Sequence, residues 1–299
     1  MSDQKRWVAY NVKDPSKEKP PGAVRIMCMS DTHDKHLDIP SQYIFPADIA
    51  IHAGDFTMYG KRSEVISFRD WFKQLPTKHK ILIAGNHDLS FDEQMRDELK
   101  DVFVLRGYTE PPELSKKEIY CPEITYVEDK TFELMGIKFY CSPRSPHINR
   151  YCFPTKLENH GKEWDNIDNT IDVVVTHSPP SGVFDFDIRD MQFGDPYLAL
   201  KIQECKTPLH IFGHTHCCNG SYRHGNTLYV NAAIVDINNN YNCPPQYFDM
   251  IRTGEQFEEP DHYFTLPELI DISFYINKNT FNWLNKKYHV FINWITFCF

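Results

Sequence analysis

The sequence predicts an α/β fold built on a mixed β-sheet. Three observations carry this. Five short runs are mostly apolar and rich in Ile and Val, as strands buried on both faces are. Amphipathic helical patterns lie between some of these runs. Each run also halts on a small residue or a turn followed at once by Asp, Asn or His.

Residues 1–18 are polar, run into Lys19-Pro20-Pro21-Gly22, and read as an N-terminal lead-in arm. The strand-like runs are 24–29, 48–53, 80–84, 171–175 and 209–212. They stop at Ser30-Asp31, Gly54-Asp55, Gly85-Asn86, Thr176-His177 and Gly213-His214. Residues 63–75 predict a helix. Val65, Ile66, Phe68, Trp71, Phe72 and Leu75 fall near helical spacing, Ser63 suits the N-cap, and Pro76 lies beyond the end. Residues 91–99 and 188–202 are further helix candidates, and 131–141 and 220–231 read as hairpin strands, which make the sheet mixed.

Composition sets the limits. With 299 residues the chain holds one α/β domain plus extras. Lys+Arg 32 against Asp+Glu 41 gives a net charge of −9, which argues against a protein that coats nucleic acid. Hydrophobic residues at 41% exclude wholesale disorder. The nine cysteines are scattered and form no C-x-x-C pair, so neither a zinc ribbon nor a thioredoxin-type site is expected. The polar start has no apolar signal core, which predicts free thiols and a cytoplasmic location. No run of about 18 apolar residues predicts a membrane span.

The ends of the five runs carry the chemistry. They offer Asp31-x-His33, Asp55, Asn86-His87-Asp88, His177 and His214-x-His216. In α/β sheets, ligands gather outside the carboxyl ends of strands, so segments distant in sequence deliver these groups to one edge. The glycines are expected to let the chain turn sharply just past each strand. Carboxylate, imidazole and amide oxygen suit a divalent metal such as Mn²⁺, Fe²⁺ or Zn²⁺. There are donors enough for two ions, which a shared carboxylate holds roughly 3.5–4 Å apart for in-line phosphoester hydrolysis. Taken singly, D-x-H and G-D are weak signals, and a buried histidine bonded to a backbone carbonyl is the plain alternative for His177. The ordered set, each member at a strand end, points to a metal site.

These motifs resemble the five motifs of calcineurin-like metallophosphoesterases, and more closely the metallophosphoesterase-domain-containing (MPPED) family of class III phosphodiesterases. Lys19-Pro20-Pro21-Gly22, Ser30-Asp31-Thr32-His33, Gly54-Asp55-Phe56-Thr57, Ser63-Glu64-Val65, Ile83-Ala84-Gly85-Asn86-His87, Thr176-His177-x-Pro179-Pro180 and Tyr229-Val230-Asn231-Ala232 carry the likeness. The resemblance covers roughly residues 19–250 and sets a domain at 19–253.

The resemblance implies a four-layer sandwich, two mixed β-sheets flanked by helices. It implies a metal-dependent phosphodiesterase acting on small phosphoesters or nucleotides through a metal-bridging hydroxide. Asp31, His33 and His216 are then ligands of one metal, Asn86, His177 and His214 of the other, and Asp55 the bridge. His87 stays free of metal to serve the leaving oxygen or the transition-state charge, and Asp88 orients His87. The family more often has Glu at that position. Some vertebrate members carry Gly where this chain has His214 and bind nucleotides with weakened catalysis. A nucleotide-binding regulator or scaffold is therefore the alternative. Mn²⁺ is the expected metal, with Fe or Zn as substitutes.

Substrate contacts are less legible. Asn86, His87 and Arg144 are candidates, with His147 and Arg150 in the same loop region, though loop charges are ordinarily just solvated. Cys217 and Cys218 follow the last ligand directly. From residue 254 the composition turns aromatic and rich in Asn. Phe281, Leu284, Tyr288, Phe291 and Ile295 fall at helical steps beside Lys286 and Lys287. That stripe allows a membrane-surface or partner-docking helix, but a poorly ordered extension is the stronger expectation.

Overall fold

The computed structural model describes residues 6–96, 104–105, 116–146, 151–155, 159, 161–189 and 191–253. His147, Arg150, His160, the end of the helix candidate at 91–99 and the extension from 254 lie outside the described residues.

Two six-stranded sheets form the centre, ordered β1-β12-β2-β3-β4-β5 and β10-β11-β9-β8-β7-β6. In the first, β2 (Val24–Met29), β3 (Ala47–Ala53), β4 (Thr77–Ile83) and β5 (Thr125–Tyr126) run parallel. Strands β12 (Gln246–Arg252) and β1 (Trp7–Asn11) close its edge antiparallel. In the second, β7 (Ile137–Ser142), β8 (Val173–Thr176), β9 (Leu209–Phe212) and β11 (Thr227–Asn231) run parallel. Its edges are the antiparallel strands β6 (Lys130–Leu134) and β10 (Gly220–His224). Both sheets are therefore mixed: the two predicted hairpins make the second one so, and β1 and β12 the first.

Strand alternation builds the layers. Ile26, Cys28, Ile49, Ile51, Ile81 and Ile83 face Phe139, Cys141, Val173, Val175, Leu209 and Ile211 in one dry core between the sheets. The intervening residues Met27, Met29, Ala50 and Leu82 face outward onto Val65, Phe68 and Phe72 of helix α1 (Arg62–Phe72). On the far side, Tyr140, Val174 and Phe212 pack against Leu198 and Ile202 of helix α4 (Pro196–Cys205). The result is the four-layer helix–sheet–sheet–helix order. Short helices α2 (Glu93–Arg96) and α3 (Lys116–Ile119) follow α1 in the chain.

Some local expectations need correction. Helix α1 starts at Arg62, so Ser63 is inside it rather than its N-cap. Its start is secured by Glu64, whose carboxylate turns back to accept the N–H groups of Tyr59 and Lys61 at 3.0 and 3.2 Å. The helix expected from residue 188 begins only at Pro196. Asp195 caps it by accepting the N–H groups of Tyr197 and Leu198, and Pro196 occupies the first position, where no N–H is needed. Within the N-terminal arm expected over 1–18, residues 7–11 join the sheet: Trp7, Ala9 and Asn11 point inward from β1, and Arg25 donates to the carbonyls of Pro15 and Lys17. The physical reason is β12, whose outer edge would otherwise be unpaired.

Candidate metal centre

Strands β2, β3, β4, β8 and β9 all deliver their carboxyl ends to one edge, and both sheets contribute. Three donor groups have all their ligand atoms within 4.8 Å of one another: Asp31, His33 and His216; His33, Asp55 and His87; and Asp55, His177 and His214. Asn86 joins the last group, its Oδ1 lying 2.8 Å from both His177 Nε2 and His214 Nδ1. All seven expected ligands thus converge, in the two sets the resemblance implies, with Asp55 between them.

The backbone is strained to achieve this. Asp31, His33, Asp55 and His214 have φ of 54°, 42°, 55° and 71°, a left-handed conformation that costs on the order of 1–3 kcal/mol each. Each strained N–H is tied to another loop of the site. Asp31 donates to the Gly54 carbonyl at 2.9 Å and His33 to the Asp55 carbonyl at 3.0 Å. Asp55 donates to Asp88 Oδ2 at 3.0 Å, and His214 to Asp31 Oδ2 at 2.9 Å.

The glycines do only part of what the sequence suggests. Gly54 turns with φ +96°, as expected. At Gly85 and Gly213 the need is space. A Cβ at Gly85 would lie 2.3 Å from Asp55 Oδ1, and one at Gly213 would lie 2.1 Å from Asp31 Oδ2. These residues let ligand carboxylates rest against bare backbone.

The donor chemistry fits divalent cations. His177 Nδ1 donates to the Ala53 carbonyl at 2.9 Å, which leaves a lone pair on Nε2. The carbonyl partner of an ordinary buried histidine is present, and it is what frees the other nitrogen. That Nε2 meets Asn86 Oδ1 at 2.8 Å and Asp55 Oδ2 at 3.3 Å. Likewise His216 Nδ1 bonds the Asp236 carbonyl at 3.1 Å, and its Nε2 faces His33 Nε2 at 3.1 Å and Asp31 Oδ1 at 3.4 Å. Acceptor atoms converging on acceptor atoms repel unless a cation or a proton lies among them.

The protonation tendencies report the same demand. Burial lowers the basicity of His177, but the Asp55 carboxylate overrides it and pushes the imidazole up to about 9. Burial opposes the charges of Asp31 and Asp55, yet the facing histidines hold both carboxyls well below the usual range. Burial first, then neighbouring histidines, drives His33 and His214 down to about 3.

His87 is placed as expected beside the ligands. Its N–H donates to Asp55 Oδ1 at 2.8 Å, and its Nδ1 bonds the Met58 carbonyl at 2.9 Å. Its ring lies 4.6 Å from that of His33. Asp88 does not orient it. The Asp88 carboxylate is buried and accepts four bonds, from the N–H groups of Asp55, Gly85 and Thr57 and from Thr57 Oγ1. Burial and the Asp55 charge push its carboxyl up to about 8, while the four donors favour the charged form and occupy both oxygens. Asp88 organises ligand loops, and Met58 fixes the His87 ring.

Arg144 donates through Nε and Nη2 to Asp129 Oδ2 at 3.1 and 3.0 Å. Its carbonyl accepts the N–H of Ser178, the residue after His177, at 3.1 Å.

Several site residues were not singled out by the sequence. Tyr59 and Tyr151 place rings 6.3 and 4.8 Å from the His87 ring, and Phe193 places one 5.3 Å from His214. A paired device supports the two sheets. Thr32, preceding the expected ligand His33, bonds His52 at 3.1 Å; Thr176, preceding the expected ligand His177, bonds His210 at 2.9 Å. Each threonine also donates to a carbonyl, of Phe56 and Ser178 respectively, so each accepts from its histidine Nε2. The repeated Thr-His step after an apolar run was the available signal.

A two-sheet α/β sandwich that gathers carboxylate, amide and imidazole donors from both sheets at one edge defines a metal-dependent phosphoesterase. Residues 24–218 match the family model described as Calcineurin-like phosphoesterase. The chain is 34% identical over 239 residues to Metallophosphoesterase domain-containing protein 1 of Homo sapiens, covering 78% of this chain and 72% of that protein. It is 37% identical over 221 residues to UPF0046 protein C25E10.12 of Caenorhabditis elegans, covering 71% and 76%. The chain belongs to the MPPED family of calcineurin-like metallophosphoesterases, which use divalent metals.

Proposed function

We propose that this protein is a dinuclear phosphodiesterase of small phosphoesters or nucleotides, with Mn²⁺ as the working metal and Fe or Zn as substitutes. The single observation that supports it most is the convergence of Asp55 on both donor sets. When bound, two divalent cations supply an activated water and neutralise the non-bridging phosphate oxygens. Asp31, His33 and His216 hold one side of the site and Asn86, His177 and His214 the other. Asp55 links them. His87 Nδ1 donates to the Met58 carbonyl, so the neutral ring has a lone pair at Nε2, and only the imidazolium carries a transferable proton there. From there it serves the leaving oxygen or the developing charge on phosphorus. Tyr59, Tyr151 and Phe193 offer aromatic faces beside it, suited to an aryl group or a nucleobase.

The test is turnover of an aryl phosphodiester beside the matching monoester, with each metal. The expected result is Mn²⁺-dependent diester hydrolysis that Asp55→Asn abolishes. Tight binding of a nucleoside monophosphate with no turnover by metal-loaded wild type would instead favour a nucleotide-binding regulator. The cytoplasmic location is part of this proposal; no helix among the described residues is long and apolar enough to cross a membrane.

A further inference from the structure

Cys217 and Cys218 follow the ligand His216, and their Sγ atoms lie 3.5 Å apart. Both thiols donate to one acceptor, the carbonyl of Phe186, at 3.0 and 3.4 Å. Phe186 belongs to a strap whose base is closed by a bridge between Pro180 and Asp195. Thr215 Oγ1 fastens the same strap by donating to the Phe184 carbonyl at 2.5 Å. The strap carries Phe193, whose ring edge meets the ring of His214 at 5.3 Å. Two S–H donors therefore help hold an aromatic cover against the turn that supplies two metal ligands.

We infer that Cys217 and Cys218 are a peroxide-modifiable pair that closes to a vicinal disulfide, and that closure unfastens the strap from the ligand turn. Cys217 is partly exposed whereas Cys218 is 6% exposed, so attack begins at Cys217. The Cys217 sulfur attacks the O–O bond of hydrogen peroxide, giving a sulfenic acid and one water. The Cys218 sulfur then displaces the hydroxyl from the Cys217 sulfur. The S–S bond forms, and the thiol proton leaves with that hydroxyl as a second water. The sulfurs lose two electrons together and the peroxide gains them. A ring closed through one peptide bond is strained, so a dithiol reopens it readily. The disulfide carries no S–H, and both donors to the Phe186 carbonyl are lost. This inference does not rest on the phosphodiesterase reading.

The test uses the full chain. Trypsin cleavage after Lys206 and Arg223 gives a peptide, 207–223, that holds these two cysteines and no other. After hydrogen peroxide, quenching and alkylation, this peptide should be lighter by two hydrogen atoms and carry no alkyl group, and dithiothreitol should reverse both changes. In the same oxidised protein, hydrogen exchange should speed at least ~5-fold at the amides of Asp187 and Phe193, which bond Met191 and Asp185 carbonyls at 3.0 and 2.6 Å within the strap. Cys217→Ser keeps a donor and cannot close the ring, so peroxide should leave its exchange unchanged. Cys218→Ser replaces it if the first variant does not fold. A peptide that still takes two alkyl groups or gains oxygen, a disulfide without faster exchange, or equal acceleration in the serine variant would overturn the inference.

Discussion

The carboxylate of Asp88 accepts the main-chain N–H of Asp55 at 3.0 Å, so the residue after His87 holds the backbone of the proposed bridging residue rather than the histidine ring. The same carboxylate ties Gly85 and Thr57, so the loops after β3 and β4 both hang on one buried carboxyl group. Asp88→Asn places an amide N–H₂ against fixed N–H donors. We expect a loss of roughly 2–4 kcal/mol in stability of the metal-free protein, from a broken buried network. Metal affinity should fall about 10–100-fold. Denaturant melts and metal titration check this. If only turnover fell, Asp88 would be acting through His87 after all.

Gly213→Ala tests space rather than turning. Its Cβ would lie 2.1 Å from both Asp31 Oδ2 and Ser30 Oγ, so the ligand carboxylate must move. The expected outcome is at least ~10-fold weaker binding at the Asp31, His33 and His216 set, with the other set retained. Calorimetric titration resolving two binding steps reads it.

The buried His52 and His210 predict acid sensitivity. Burial pushes both imidazoles down to about 3. A base with a depressed folded-state pKa stabilises the protein fully above the unfolded value near 6.5, and that stability is lost as pH falls from there toward 3. At pH 5 each histidine should have forfeited about 2 kcal/mol. Urea unfolding at pH 7 and pH 5 measures the fall, and His210→Gln should shrink it by about 2 kcal/mol.

Arg25 and Asp249 form a buried bidentate pair, both bonds 2.9 Å, linking β2 to β12. The guanidinium also takes the carbonyls of Pro15 and Lys17, anchoring the segment after β1. Asp249→Leu strands a buried cation and should cost about 3–5 kcal/mol. The change should also expose the 12–19 segment to limited proteolysis.

Much of the site is legible in the sequence because β2, β3, β4, β8 and β9 are apolar runs that each end where an expected ligand begins. The local pattern of residues 24–29 fixes both the strand and the position of Asp31. What stayed hidden depends on distant partners. Strand β12 carries Asp249 in its middle, which reads as a break in an apolar run until Arg25 on β2 answers it. Trp7–Asn11 is short and surrounded by polar residues, and only β12 makes it a strand. The position of Asp88 in Gly85-Asn86-His87-Asp88 suggests service to its neighbour, but Thr57 and Asp55 come from another strand end. The ion pair of Arg144 with Asp129 spans β6 and β7 and has no local signal. Helix α4 is the exception: Asp195-Pro196 is a local start signal that the apolar pattern from residue 188 obscured.

The proposed function makes one carboxylate, Asp55, join two cation sites built from both sheets. The metal content of protein equilibrated with Mn²⁺ and freed of excess ion measures this most directly. Two ions per chain are expected in the wild type, one in His216→Ala, and one in His177→Ala. A single ion in the wild type, or two retained in either variant, would rule out the shared centre.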